Sequence, residues 1–522
     1  MMIREIVESK HLLSCDMEIP GKAGRVGPFT MIIFGGAGNL AQIKLMPSLL
    51  QIFTGGEMPA DFSILAAGMP EYSDTGYREF MGKAVRKFDK RFNKAKWQDF
   101  EKHLFYHAAG FEDDAGYEML KQRLRSFGHK GAAGKKKNVI FYMAVPPSVM
   151  PLIVEKLKAH NLSRGEFASR VVVEKPFGRD LESAHELNNV LTSAFDENQI
   201  YRIDHYLSKE PVQNIMFFRF VNVIFEQIWN GNFVDNVQIT AAEDIGIERR
   251  GPFYEETGVV RDMVQNHVLQ LLALVAMEPP VSFRADFVRD EKTKVFRSIH
   301  PCEKSYIRKC AVRGQYAPGK IKGAAVPGYR HEAGVARDSV TPTFFAAKFY
   351  VDNLRWAGVP FYVRTGKRLR KRVTEICIQF KQRPLRIFGK KCDAMEPNIL
   401  TFSIQPDERI SMRFGVKYPY SENQIYYTNM VFSYPQVFKT SFQPPYERLL
   451  MDVIRGDQSL FVRQDSVEAM WDVVDPIIKE WESHPPGDFP NYKSGSWGPA
   501  AAMELLARDG RKWITNGGTA IV

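Results

Sequence analysis

Residues 30–34, Thr-Met-Ile-Ile-Phe, run directly into Gly35-Gly36-Ala37-Gly38-Asn39-Leu40-Ala41. A short, unbroken apolar run suits a strand covered on both faces, the situation of a parallel sheet. Gly36, Gly38 and Ala41 fit G-x-G-x-x-A, and the spacing of Lys44, Leu45, Leu49 and Leu50 predicts a helix immediately afterwards. Strand, glycine turn and helix in that order let backbone N–H groups approach a pyrophosphate at the helix N-terminus. The alternative is an ordinary glycine-rich strand-to-helix turn. Either way the first third of the chain is committed to strand–helix units.

That rhythm continues. Residues 62–67, 139–144 and 170–173 read as further strands, and 77–92 and 149–159 as helices between them, which predicts a doubly wound parallel sheet. Residues 128–137, with three glycines and four lysines, read as a surface loop. Near residue 200 the pattern changes. Strands are predicted at 237–241, 344–351, 374–380, 399–404 and 410–414, with helices at 258–276 and 466–480. These describe a large, mostly antiparallel sheet. Residues 284–339 read as loop-rich. At 522 residues the chain exceeds one ordinary core. The expected division is an N-terminal arm (1–27), a coenzyme-binding domain (28–200) and a substrate-binding β+α domain (201–522).

Several function classes are disfavoured. No apolar run reaches the ~18 residues of a membrane span, and the N-terminus, with Glu5, Glu8, Asp16 and Glu18, lacks a leader's apolar core. Five scattered cysteines without a Cys-x-x-Cys pair argue against a disulfide framework and a zinc ribbon, so no metal and a reducing, cytoplasmic setting are expected. Net charge is +11, but the basic residues are spread and no nucleic-acid-binding signature accompanies them, so a small anionic ligand is the favoured reading.

Four stretches carry chemistry. Residues 202–210, Arg-Ile-Asp-His-Tyr-Leu-Ser-Lys-Glu, crowd acids, an imidazole, a phenol and cations into nine positions. Asp204 beside His205 offers a carboxylate that orients an imidazole, and Lys209 a charge for an anion; a charged helix start is the plain alternative. Lys175, in Glu174-Lys175-Pro176-Phe177-Gly178 after the apolar 171–173, falls where such a sheet's strands open into the ligand crevice. His267 shares a helical stripe with Val260, Val264, Val268, Leu271 and Val275; it is either a satisfied core histidine or a desolvated base. Residues 364–372 are rich in arginine and lysine, suiting phosphate contacts or merely a solvated charge run.

Together these landmarks resemble the glucose-6-phosphate dehydrogenase family. Residues 202–210 are similar to its R-I-D-H-Y-L-G-K-E, differing at Ser208, 174–178 to its E-K-P-F-G, and 261–267 to its R-D-x-x-Q-N-H. Similarity continues in order through 288–292, Gln315-Tyr316, Arg355-Trp356, 358–361 and 495–499. The resemblance implies α/β plus α+β architecture, an N-terminal Rossmann-like doubly wound parallel sheet followed by a larger domain on a mostly antiparallel β-sheet. It implies oxidation of glucose 6-phosphate at C1 to the 6-phosphogluconolactone, the entry to the oxidative pentose phosphate pathway. His267 is then the base, oriented by Asp204, with Lys175 between the sugar C1 oxygen and the nicotinamide. His205, Tyr206 and Lys209 hold the phosphate, and Glu243, Asp262, Lys367, Arg372 and Gln405 contact sugar or phosphate. Gly35, Gly36, Ala37, Gly38, Asn39, Leu40, Lys44, Tyr142 and Lys175 are the implied coenzyme contacts. NADP is the family's coenzyme, but Met69 stands where an arginine usually grips its 2′-phosphate and Glu71 follows, so NAD or dual use is open. A homodimer or homotetramer is implied. Two rival readings stand beside this one: another sugar oxidoreductase with a similar lysine, and a homologue without turnover.

Overall fold

In the computed structural model, residues 26–127, 136–300, 307–382, 395–421, 424–439, 442–515 and 519–520 are described. The loop expected at 128–137 and the arm expected at 1–27 lie almost wholly outside these residues, as do Cys15, Cys302 and Cys392.

The first sheet uses β1 (Phe29–Phe34), β2 (Phe62–Gly68), β3 (Leu104–Ala108), β4 (Lys137–Met143), β5 (Phe167–Val173) and β6 (Ile200–Ile203). Their order is β6-β5-β4-β1-β2-β3, all parallel. Every residue of β1 and β2 is buried, as the short apolar runs predict for strands covered on both faces. The order reverses beside β1, which makes the crevice beyond β1 and β4 the place where such sheets take ligands. β3 and β6 escaped the sequence reading because both are short, and β6 carries Arg202 within an otherwise apolar strand. The sheet therefore runs past Ile200 to Ile203.

The second sheet contains β7 (Val234–Ala242), β8 (Ala311–Gly314), β9 (Phe344–Tyr350), β10 (Pro360–Gly366), β11 (Val373–Phe380), β12 (Ile399–Gln405), β13 (Arg409–Lys417) and β14 (Ile425–Ser433). Its order is β14-β13-β12-β11-β7-β10-β9-β8, antiparallel except for the β7–β10 pair. The chain finally returns to the first sheet, where β15 (Phe461–Val462) pairs antiparallel with β6. That return ties the two halves together beside residue 204.

Two predicted elements are corrected. The helix expected at 258–276 is α1 (Gly251–Val259), a π-helical segment Val260–Val268 and α2 (Leu269–Ala276). Gly258 breaks it with φ +58°, a left-handed conformation that a β-carbon disfavours. Residues 262–268 are all buried, so His267 sits inside the protein and not on one apolar face. Three successive carbonyls at the end of α2, of Leu274, Val275 and Ala276, accept from Arg219, Trp229 and Trp356. Those side chains satisfy groups that a helix leaves unpaired, and they fix the helix axis on the second sheet.

The supposedly loop-rich 284–339 contains a helix, α3 (Ala285–Ser298). Its inward face includes Arg289 and Lys292 beside Val288, Val295 and Phe296, so buried cations disguise the apolar period. After it, α4 (Gln464–Ser483) packs against α3 and donates the Trp471 indole N–H to the Phe177 carbonyl. Among the described cysteines Cys377 is free and buried, while Cys310 is disulfide-bonded, a crosslink the spacing did not announce. No helix among the described residues is long and apolar enough to cross a membrane.

Candidate active site

A cleft of about 620 Å³ opens where the crevice of the first sheet meets the second. Three elements meet there: the turn after β5, the turn after β6, and the π-helical segment 260–268.

Lys175 leaves β5 and donates from Nζ to His267 Nε2 at 2.8 Å and to the Asp262 carbonyl at 3.1 Å. Asp204 leaves β6, and its Oδ1 accepts from His267 Nδ1 at 2.5 Å and from the Tyr206 N–H at 2.9 Å. The carboxylate thereby fixes the tautomer with the proton on Nδ1, leaving the Nε2 lone pair to accept from Lys175 at the edge of the cleft. The sequence pairing of Asp204 with His205 is replaced: the acid serves His267, 63 positions away. His205 and Tyr206 instead pack their rings on the His267 ring, with centroids 4.5 and 4.2 Å from it. Nor does the stretch 202–210 start a helix, which begins only at Glu210.

The electrostatics follow from enclosure. Burial would push the Asp204 carboxyl up, but the imidazoles of His267 and His205 and the Tyr206 N–H hold it far below the carboxylate range. His267 is lowered, first by burial and then by Lys175, against the pull of Asp204. The result is a neutral imidazole at neutral pH, the form that accepts a proton.

A cationic end lies further along the cleft. Lys209 Nζ donates to Gln405 Oε1 at 2.6 Å and lies 3.9 Å over the Tyr206 ring. Burial, and then the charge of Arg372, brings the Lys209 ammonium down to about 8. Arg372 and Lys44 line the same cavity. Ser208 is buried and donates to the His205 carbonyl at 2.9 Å, closing the turn that aims His205 and Lys209. A third group sits between these ends, with Lys367 bonded to Glu243 and 3.5 Å from Asp262 Oδ2. The cavity thus brings together the histidine–carboxylate pair with Lys175, the Lys367–Glu243–Asp262 group, and the cations Lys209, Arg372 and Lys44.

The glycine turn lies at the end of β1. A β-carbon on Gly36 would stand 2.4 Å from that of Ala66, and Gly35 takes φ +77°. Only glycine permits this path, which leaves the backbone open to a close-fitting ligand. Tyr77 Oη donates to the Gly36 carbonyl and the Gln42 amide to that of Ala37, holding the loop. Residues 35–40 do not line the main cleft, whereas Lys44 does. Tyr142 is fully buried and donates to Glu174 at 2.5 Å; it stands behind the cleft wall. Sequence reasoning missed Arg250 and Tyr446. Both line the cleft, and Tyr446 donates to the same Glu174 oxygen at 3.2 Å. Neither has a local pattern that marks it.

A doubly wound nucleotide-binding sheet with a histidine–carboxylate pair and a lysine at its crevice defines a coenzyme-dependent dehydrogenase of the α/β class. The comparisons name the family. Residues 32–214 match "Glucose-6-phosphate dehydrogenase, NAD binding domain" and 216–514 match "Glucose-6-phosphate dehydrogenase, C-terminal domain". The glucose-6-phosphate 1-dehydrogenase of Chlamydia pneumoniae is 42% identical over 495 residues, covering 93% of this chain and 96% of that one. The enzyme of the same name from Rhizobium meliloti is 42% identical over 493 residues, 94% and 98% of the two chains. A solved glucose-6-phosphate dehydrogenase in complex with its substrate glucose-6-phosphate superposes with a TM-score of 0.85 at 34% identity, covering 94% and 100%. The Mycobacterium avium glucose-6-phosphate 1-dehydrogenase does so at 0.79 and 33%, covering 94% and 99%. The chain belongs to the glucose-6-phosphate dehydrogenase family.

Proposed function

We propose that the chain oxidises glucose 6-phosphate at C1, with His267 as base, Asp204 as its orienting partner and Lys175 beside the reacting oxygen. The hydrogen-bonded series Asp204–His267–Lys175 at the cleft carries this reading. His267 removes the C1 hydroxyl proton through Nε2, and Asp204 stabilises the imidazolium that forms. Lys175 stabilises negative charge developing on the C1 oxygen. Lys367 with Glu243 and Asp262 orients the ring hydroxyls, while His205, Tyr206, Lys209 and Arg372 hold the 6-phosphate. The glycine turn 35–40 with Lys44 holds the coenzyme; Tyr142 acts through Glu174. A bound nicotinamide coenzyme supplies the hydride acceptor. A spectrophotometric assay with glucose 6-phosphate and either coenzyme tests the reading; activity on free glucose that ignores the phosphate would refute it.

The phosphate grip makes its own prediction. Removing the ammonium in Lys209→Ala is expected to raise KM for glucose 6-phosphate by about 10–100-fold, the worth of a charge-assisted hydrogen bond. Its loss is expected to leave weak activity on free glucose unchanged. Because Lys209 is brought down to about 8, it loses its charge as pH rises past that value in the free enzyme. KM for glucose 6-phosphate should therefore climb on the alkaline side in the parent and stay flatter in the variant.

For the coenzyme, the proposal is that NAD serves at least as well as NADP. Beyond β2 stand Met69, 59% exposed, and Glu71, also exposed. The Tyr106 hydroxyl fixes that turn through the carbonyls of Gly68 and Pro70. Nearby Arg123 is taken by Asp74, and Arg78 by the Leu104 carbonyl. A free ribose hydroxyl suits Glu71; a 2′-phosphate would meet its charge. Met69→Arg is expected to raise kcat/KM for NADP about tenfold with little change for NAD. A parent enzyme that strongly prefers NADP would sink the idea.

A homodimer, or a tetramer built from it, belongs to the same proposal. Val221, Val223 and Ile224 are about 70% exposed, and Met430, Val431 and Phe432 on edge strand β14 are exposed too. Exposed apolar side chains, some of them on an open sheet edge, support self-association, and sedimentation velocity of the full chain reads it out. A cytoplasmic setting is likewise proposed, and cell fractionation tests it.

A further inference from the structure

Lys292 is a buried cation on the inward face of α3, one helical turn along from His267 through its bond to Gln270. It is 2% exposed, and its ammonium donates to the neutral amide oxygen of Gln270 at 2.9 Å. Gln270 follows His267 by one helical turn, and its own amide N–H faces Met470 Sδ at 3.4 Å. Asp204, the partner of His267, uses only Oδ1. Its Oδ2 is buried and has no hydrogen-bond partner among the described residues. A buried ammonium bonded to a neutral amide and a buried carboxylate oxygen without a partner thus meet the same helix one turn apart, at Gln270 and His267, and each is costly alone.

We propose that Lys292 is a positioning residue, a buried counter-cation that holds Asp204 ionised and His267 neutral and correctly oriented before substrate arrives. This rests on the reading of His267 as the base. The groups around it fit. Burial brings Lys292 down to about 8; Asp204 is the carboxylate that opposes this, and Arg289 on α3 and Arg463 ahead of α4 add to the lowering. The arginines have other partners: Arg289 contacts Asp286 and Gln458, and Arg463 contacts Asp290 and Asp465. Facing His267 itself are Asp204, Lys175, Asp262 and His205. Lys292 does not line the cleft, so on this proposal its charge reaches the chemistry through the pair.

The signature is a displaced pH profile. Removing a positive charge favours the imidazolium, so Lys292→Met is expected to move the acid limb of kcat/KM up by about half to one pH unit. KM for glucose 6-phosphate at the plateau should stay within about twofold. Lys292→Arg, which keeps the charge, should return the limb towards the parent position. If the methionine variant does not fold, Lys292→Gln gives the same comparison. A limb that stays in place while the melting temperature falls would reduce Lys292 to a packing residue and overturn the proposal. Unchanged turnover in His267→Asn is a separate result: it would remove the base assignment itself, whatever Lys292 does.

Discussion

His267→Asn is expected to lower kcat by about 10³–10⁴-fold with KM for glucose 6-phosphate changed only a few-fold, measured by coenzyme reduction at saturating sugar phosphate. Asparagine keeps a polar group of similar reach, but its amide nitrogen accepts no proton. Lys209 of the proposed phosphate grip bonds to Gln405 and not to His267, whereas His205 and Tyr206 pack on the His267 ring, which is why a change of a few-fold in KM is allowed. The companion Asp204→Asn tests the orientation separately. Its amide can present a donor to Nδ1, which favours the tautomer with the proton on Nε2 and so blocks the base, and a loss of similar size is expected. Both variants should bind substrate. Because burial and Lys175 lower His267, parent kcat at saturating sugar phosphate is expected to hold through neutral pH and fall on the acid side, as the imidazole protonates.

The second large effect is expected at Lys175. Its ammonium is shared between His267 Nε2 and the Asp262 carbonyl, so it already stands where negative charge on the C1 oxygen would develop. Lys175→Ala is expected to cost about 10²–10³-fold in kcat, the range for removing one preorganised donor from a developing oxyanion. Lys175→Arg is expected to recover little, because a planar guanidinium cannot replace a compact charge wedged 2.8 Å from a ring nitrogen. Removing the lysine also relieves repulsion on His267, so the acid limb of the residual activity should move to higher pH. A variant with normal kcat and a raised KM alone would mean that Lys175 binds the ground state and takes no part in the chemistry.

Read as local sequence, the protein was most legible where a strand meets a glycine turn. Residues 31–34 are apolar because both faces of β1 are covered, and Gly35 and Gly36 are required by conformation and by contact with Ala66. The longer apolar strands of the second sheet were legible for the same reason. What escaped were elements whose buried faces carry charge. Lys292 and Arg289 made α3 read as loop, and Arg202 hid β6, because inward cations break the apolar period on which such a reading depends.

The site divides in the same way. Residue types and short motifs determined that a cluster of cations, a lysine at a strand end and a histidine in a helix were present. Motif resemblance assigned them roles. Only the tertiary structure decided who meets whom: Asp204 reaches His267 across 63 positions, Lys175 reaches it across 92, and Lys209 reaches Gln405 across 196. Periodicity reports on neighbours within a turn or a strand. Catalytic geometry here comes from two parallel strands, β5 and β6, ending beside one buried helix, so it is a property of sheet order and helix docking that no local pattern contains.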